Sequence, residues 1–345
     1  MNEPAPASSE TIDLSRLAAW LRGNVPGYAG RPALARFEGG QSNPTFKLTS
    51  DSGAYVLRRK PAGTTLPSAH AVDREFRVMR ALSGTGVPVA PVFALCEDAE
   101  VIGSAFYVMA FVPGRVFWDQ TLPEQSPAER AAMFDSMNAT IAALHSVDWR
   151  AAGLEGFGRP ENYLSRQIAR WTKQYRAAEM EKIPAMDALI EWLPRHLPAR
   201  DATAIVHGDF RMDNLIFHPT EPRVVAVLDW ELSTLGDPVA DFAYHVMSWR
   251  ISPTLFRGLA GVDFAGLGIP TEADYVATYF RRVGQTPVEN WDYYIVFGMF
   301  RIVGILQGIL KRAADGTAAS AHAVEHGSLA PALAEQAWAL ARSLG

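Results

Sequence analysis

The chain has a single cysteine, Cys96, in 345 residues. One thiol excludes an internal disulfide framework and suits a reducing, cytoplasmic setting. Standing at a predicted strand end with no His partner nearby, it reads as a packing residue rather than a nucleophile. Positive charge is not in excess either: 32 Lys and Arg against 37 Asp and Glu leave a net charge of −5. Nothing electrostatic therefore recommends nucleic acid or an anionic membrane as a partner. The opening MNEPAPASSE lacks the basic start and apolar core of a signal peptide, and residues 1–10 read as a disordered tail. Long uninterrupted apolar runs are missing. The nearest, residues 294–310, contains Arg301 and Gln307 and reads as a buried helix rather than a membrane span. No internal repeat is present, and the length predicts two units with a substantial core.

The chemistry concentrates in residues 205–231, IVHGDFRMDNLIFHPTEPRVVAVLDWE. An apolar pair, Ile205 and Val206, leads into a polar loop with His207, Asp209, Arg211, Asp213 and Asn214. A short apolar run, a turn and a β-branched strand follow, and the strand stops at Asp229. Strands that end on a carboxylate or an amide suit a hard cation, because the strand fixes the ligand while the loop stays open. The spacing H-x-D-x-x-x-x-N, then an Asp ending the next strand, matches a kinase catalytic loop and its metal Asp. On this pattern Asp209 orients the acceptor hydroxyl, and Asn214 and Asp229 hold Mg²⁺. His207 reads as architectural.

Upstream, strands are predicted over 33–37, 45–49 and 54–58, a meander closed by turns at 38–43 and 51–53. The two glycines of the 38–43 turn suit either a plain hairpin or a loop whose N–H groups face phosphate, with Gly40, Ser42 and Asn43 as the contacts. Period two places Val56 and Arg58 on one face of the third strand, in the manner of V-A-I-K with Arg for Lys. Arg58 is thus the candidate phosphate ligand, with Lys60 on the same face as the alternative and a plain edge charge as the bland reading. A helix over 69–82 turns Glu75 toward its apolar face. The carboxylate there either pairs with Arg58 or is solvated, and the ion pair is the reading preferred.

These motifs, in this order, resemble the aminoglycoside/choline-kinase-like phosphotransferases, with the likeness strongest to the branch associated with acyl-CoA dehydrogenases. The resemblance implies an α+β, bilobal protein-kinase-like fold: a small lobe of antiparallel sheet plus helix over 11–112, and a large, mainly helical lobe over 113–345. It implies ATP and Mg²⁺ as cofactors, with Met109 to Phe111, at the end of the second of two strands predicted over 92–95 and 105–111, lining the adenine slot. It also implies that the Leu235-Gly236-Asp237-Pro238 turn and Asp241 support the catalytic loop. The 38–43 turn departs from the G-x-G-x-x-G loop of protein kinases. Helices are expected at 133–145, 163–178, 186–196, 239–249, 272–283, 291–312 and 320–344.

Arg301, inside the apolar 291–312 helix, needs a partner: either a structural ion pair or an anionic group of the substrate. His322 and His326 have the spacing of metal ligands but no third donor, and read as a solvated face.

Other functions fit less well. A metallophosphatase needs D-x-H and G-N-H motifs, which are absent; a serine hydrolase needs a second Gly and a helix after Ser42. A pseudokinase acting as a nucleotide-binding module would have lost Asp209, Asn214 or Asp229, and all three are present. An aminoglycoside or amino-alcohol kinase is the alternative; aminoglycosides, being polycations, need an acidic pocket, yet the segments in question carry Arg301, Lys311 and Arg312 beside Glu289 and Asp292. The expected partner is a small-molecule hydroxyl, of hydroxyacyl-CoA type by the resemblance, with a functional link to an acyl-CoA dehydrogenase.

Overall fold

The computed structural model describes residues 5–6, 12–37, 43–61, 71–200, 202–316 and 323–345. Most of the 38–43 turn, with Gly40 and Ser42, and the His322 and His326 side chains lie outside these. So does the expected tail, apart from Ala5–Pro6. By its contacts the chain divides into two units. The first comprises Met1–Val116, Ala152–Leu154 and Asn214–Ser233; the second comprises Phe117–Ala151, Glu155–Asp213 and Thr234–Gly345.

The first unit is built on an antiparallel sheet in the order β1-β2-β3-β4-β6-β5. Its strands are β1 (Ala5–Pro6), β2 (Ala33–Arg36), β3 (Thr45–Ser50), β4 (Gly53–Arg59), β5 (Val92–Cys96) and β6 (Phe106–Ala110). Alternation decides which way each side chain points. Phe46 pairs with Leu57 and Leu48 with Tyr55, and all four enter one buried cluster with Leu17 and Leu21 of the Leu14–Asn24 helix. That helix starts where Asp13 accepts hydrogen bonds from the Ser15 and Arg16 amides. Burying each of its two core leucines contributes about 2 kcal/mol. The opposite register of β4 is left to Val56 and Arg58. Across the sheet Val56 faces Met109 and Arg58 faces Tyr107. The Val72–Leu82 helix buries Val72, Glu75, Val78, Met79 and Leu82. A carboxylate on that apolar stripe must find a partner there.

Against the expected division at residue 113, residues 113–116, 152–154 and 214–233 group with the first unit. Backbone pairing is the reason. Within a hairpin of β8 (Leu215–Phe217) and β9 (Val224–Val227), Phe217 exchanges two hydrogen bonds with Arg115, and Val227 donates to Pro88. The following 3-10 turn, Trp230–Leu232, packs on the Val72–Leu82 helix.

The second unit is mainly helical. Its core helix, Trp291–Ala314, is apolar nearly all round and buried from Tyr293 to Gly304 against helices Tyr163–Ala178, Pro238–Val246 and Ala330–Ser343. It is long and apolar enough to cross a membrane, but most of its apolar window is packed inside this unit. A capping box of Ser126 and Glu129 starts the Pro127–His145 helix. One expectation is corrected here: Leu235 and Gly236 were read as turn residues, but they belong to a strand. Thr234–Gly236 (β10) pairs with Ala204–Val206 (β7), which satisfies the buried backbone leading into the His207–Asp209 loop. Gly236 fits because a Cβ there would come within 2.5 Å of the Tyr163 ring.

Candidate active site

In the first unit, Arg58 is the hub of a buried polar cluster. Its Nε lies 2.7 Å from Glu75 Oε2, its Nη2 donates to Asp229 Oδ1 at 2.9 Å, and its Nη1 donates to Thr45 Oγ1 at 3.2 Å. Glu75 also accepts from Asn43 Nδ2 at 2.7 Å and from the Tyr107 hydroxyl at 3.0 Å. Glu75 is only 1% exposed, so every lone pair has to be served from within. Burial pushes the Glu75 carboxyl up from its ordinary pKa, and the Arg58 guanidinium opposes that rise. Burial alone would lower the Arg58 pKa, but Glu75, Tyr107, Asp229 and Glu231 outweigh it and hold the guanidinium firmly charged.

Arg58 therefore carries the ion pair with Glu75 that the helix face required. On the same side of the sheet lie Val56 and Met109, both buried and directly paired across β4 and β6. Phe111 follows just past the strand, with the Lys47 ammonium 4.8 Å above its ring.

Asn214 and Asp229 sit at the same end of the β8–β9 hairpin, where the Leu228 amide donates to the Asn214 carbonyl at 2.8 Å. Asp229 adopts a left-handed conformation, φ 59° and ψ 67°. That is uncommon for a residue with a Cβ and is a form of strain found at functional positions. Trp230 anchors the turn by donating from its indole to the Val227 carbonyl. Among the described residues no three His, Cys, Asp or Glu side chains come together as a metal cage. An amide oxygen and a carboxylate nevertheless suit Mg²⁺, a hard cation that keeps several waters and takes few protein ligands.

In the second unit, the loop His207–Asp209 is gripped mainly through its backbone. The Asp241 carboxylate accepts from the amides of His207 and Gly208, each at 2.8 Å, and lies 3.1 Å from His145 Nε2. Arg301 donates to the Gly208 carbonyl, and the Asp209 amide donates to His207 Nδ1 at 3.1 Å. Gly208 has φ 83°, a conformation a side chain would resist. Burial pushes the Asp241 pKa up, but the hydrogen bond and charge of His145, with the help of His207, bring it below its ordinary value.

The Asp209 side chain is set by two neighbours: the Tyr244 hydroxyl, which hydrogen-bonds to it, and Arg211 Nε at 3.3 Å. Arg211 and Arg257 meet on one oxygen of Asp213, at 3.0 and 2.7 Å.

Arg301, 5% exposed, does not form the structural ion pair. Among the described residues it has no carboxylate within ion-pair distance, and its charge is spread over a carbonyl and the rings of Tyr244 and Trp171, 4.5 and 5.3 Å away. Asp237 caps the Pro238–Val246 helix, accepting from the Val239 and Ala240 amides.

Four contributors were not named from sequence: Tyr107, His145, Tyr244 and Arg257. Tyr244 could have been found, since it stands three residues after Asp241 on the same helix and shares its face. His145 had no local signal.

The profile of the phosphotransferase enzyme family matches residues 33–279. Over 337 residues the chain is 47% identical to acyl-CoA dehydrogenase family member 10 of Mus musculus, covering 97% of this chain and 32% of that protein, so it spans about a third of the relative's length. A crystal structure from Ralstonia eutropha JMP134, carrying the provisional description of an aminoglycoside phosphotransferase, superposes with a TM-score of 0.89 at 56% identity and covers 96% of this chain and 99% of that one. A thermostable mutant of aminoglycoside phosphotransferase APH(4)-Ia, in ternary complex with ADP and hygromycin B, shares the fold at a TM-score of 0.62 and 16% identity, with 96% and 99% covered. The α+β, kinase-like architecture expected from the motifs is the one found.

Proposed function

The chain belongs to the phosphotransferase enzyme family, and from that premise we propose that it transfers the terminal phosphate of ATP, with Mg²⁺, to a hydroxyl of a hydroxyacyl-CoA-type small molecule. The observation that carries the nucleotide part is the placement of Arg58. One guanidinium bridges Glu75 on the helix and Asp229 at the end of β9. A phosphate-binding cation beside a hard-cation ligand is what a Mg–triphosphate requires. Asn214 and Asp229 would hold the ion, which supplies charge neutralisation at the phosphates. Arg58 serves the α- and β-phosphates, Glu75 holds Arg58, and Val56, Met109 and Phe111 offer apolar surface to the adenine. Asn43, Gly40 and Ser42 belong to the turn that we assign to the phosphates.

Asp209 orients the acceptor hydroxyl and takes its proton as the oxygen bonds to the γ-phosphorus. The bond from that phosphorus to the β–γ bridging oxygen breaks, and ADP departs with its electron pair. Positioning and electrostatics count for more here than basicity. The grip of Asp241 and Arg301 on the loop backbone supports such positioning. Arg301 acts through Gly208 in this reading, rather than on substrate.

For the acceptor, the support is the resemblance to relatives that are named acyl-CoA dehydrogenase family members. The test is incubation with Mg-ATP and hydroxyacyl-CoAs, aminoglycosides, choline and amino alcohols, with products read by mass spectrometry. Phosphorylation of a hydroxyacyl-CoA, lost in Asp209→Asn, is the expected result. Turnover undiminished in that variant would remove Asp209 from its role, and tight ATP binding with no product from any acceptor would point to a pseudokinase.

A further inference from the structure

The helical unit contains a cavity that starts at the catalytic loop and includes an unusual pair. Tyr244, Arg211 and Asp213 line it together with Trp118, Gln120 and Arg257, and of these Trp118 is the exposed one. Tyr244 ties this space to Asp209, to which its hydroxyl is bonded. Trp118 is 59% exposed, and the Arg257 guanidinium lies 5.0 Å from its ring centroid. An indole left in water under a guanidinium is a flat platform with a cation laid on it.

Three observations show that Arg257 is placed there rather than merely paired. Its backbone is left-handed, φ 42° and ψ 37°, which costs on the order of 1 kcal/mol for such a residue and persists only where neighbours enforce it. They do enforce it. Gln120 donates to the Arg257 carbonyl, Leu259 and Ala260 donate to the Ser248 and Ile251 carbonyls, and any Cβ on Gly258 would strike the Ile251 carbonyl.

The charge of Arg257 is also incompletely answered. Asp213 Oδ2 is its one ionic partner among the described residues, and that oxygen is shared with Arg211. Finally, the lining itself carries two guanidiniums and one carboxylate, His245 being neutral with its pKa pushed down to about 4 by burial; Asp209, outside the lining, lies 3.3 Å from Arg211, which leaves Arg257 as the guanidinium with no carboxylate to itself. Such a wall repels a polycation and attracts an anion.

We propose that Arg257, laid on Trp118, binds an anionic group of the acceptor while a flat or apolar part of the same molecule covers the indole, so that this pair sets acceptor specificity. The inference rests on the phosphotransferase reading and adds to it the charge class of the acceptor and the residues that select it. A carboxylate and a phosphate offer the same chemistry to a guanidinium, so the test separates them.

Full-length protein with Mg-ADP is titrated by calorimetry with 3-hydroxybutyryl-CoA, free 3-hydroxybutyrate, uncharged 3-hydroxybutyryl-pantetheine and kanamycin. At least one of the two anions is expected to bind roughly tenfold to a hundredfold more tightly than the uncharged thioester. The CoA ester winning identifies phosphate, and the free acid winning identifies carboxylate. Arg257→Gln should erase that margin, Arg257→Lys should restore part of it, and Trp118→Ala should weaken charged and uncharged probes alike. Unchanged ADP affinity and melting temperature show that the variants remain folded.

A margin that survives Arg257→Gln, tighter binding of kanamycin, or binding of neither anion overturns the assignment. Because binding is read without turnover, the two readings fail separately. An Arg257-dependent anion preference with no phosphorylation sinks only the transfer reaction. Phosphorylation indifferent to acceptor charge and to Arg257→Gln sinks only this subsite.

Discussion

The two units hold their polar groups in opposite ways. In the sheet-bearing unit side chains grip side chains: Arg58 is tied to Glu75, Asp229 and Thr45, and Glu75 to Asn43 and Tyr107. In the helical unit the loop is gripped by its backbone: Asp241 takes the His207 and Gly208 amides and Arg301 the Gly208 carbonyl that follows them. A guanidinium bonded to two carboxylates can exchange one of them for a phosphate without moving its strand. A peptide clamped at N–H and C=O cannot shift without breaking both bonds. The first arrangement suits groups that must receive a ligand, and the second suits a loop that must hold a reacting side chain still.

Substitutions can break this contrast. The largest effect is expected from Asp209→Asn, which leaves the clamp intact and removes the carboxylate proposed to take the proton. The turnover number should fall about a thousandfold, with the KM for ATP little changed, in steady-state kinetics. Next, Asp241→Asn turns an amide donor toward two amide donors and leaves a buried network half satisfied. Denaturant unfolding should show a loss of about 3 kcal/mol.

The same residue gives a pH signature. Its carboxyl is depressed in the folded state, so its stabilisation is complete above the ordinary value of 3.8 and is lost as pH falls through the lower folded value. Wild type should therefore lose stability faster than Asp241→Asn as the pH drops below 3.8. Glu75 runs the other way: its folded pKa is raised, so protonation on acidification relieves its burial.

Glu75→Gln should leave Arg58 with Asp229 as its remaining carboxylate and raise the KM for ATP about tenfold with a smaller change in turnover. The smallest effect is expected from Tyr244→Phe, which deletes one hydrogen bond to Asp209 while keeping the ring over Arg301. Turnover should fall about fivefold at unchanged ADP affinity. An equal loss in ADP affinity would show that the two grips are not independent.

The part of the site legible in sequence is the part written in local pattern. Period two on β4 put Val56 and Arg58 together, helix phase turned Glu75 inward, and strand-end residues marked Asn214 and Asp229. The turn at 235–236 was misjudged because its strand character comes from pairing with Ala204–Val206, which no local run of residues announces. The grouping of residues 214–233 with the first unit has a similar origin: it depends on Arg115 and Pro88, which lie far earlier in the chain than their partners Phe217 and Val227. Arg301 was recognised as needing a partner, but not which one.

By itself the order of residues determined the spacing of the polar groups and the strand that carries the guanidinium, because each follows from repeat periods and turn chemistry within a few residues, while the fold class came from the family resemblance that those motifs carry. Only the tertiary structure decided that Arg301 serves a carbonyl 93 positions away, that Asp241 clamps amides 34 positions back, and that Asp213 answers Arg257. Buried donors and acceptors pair with whatever packing brings within 3 Å, and helix packing, not local sequence, sets which groups those are.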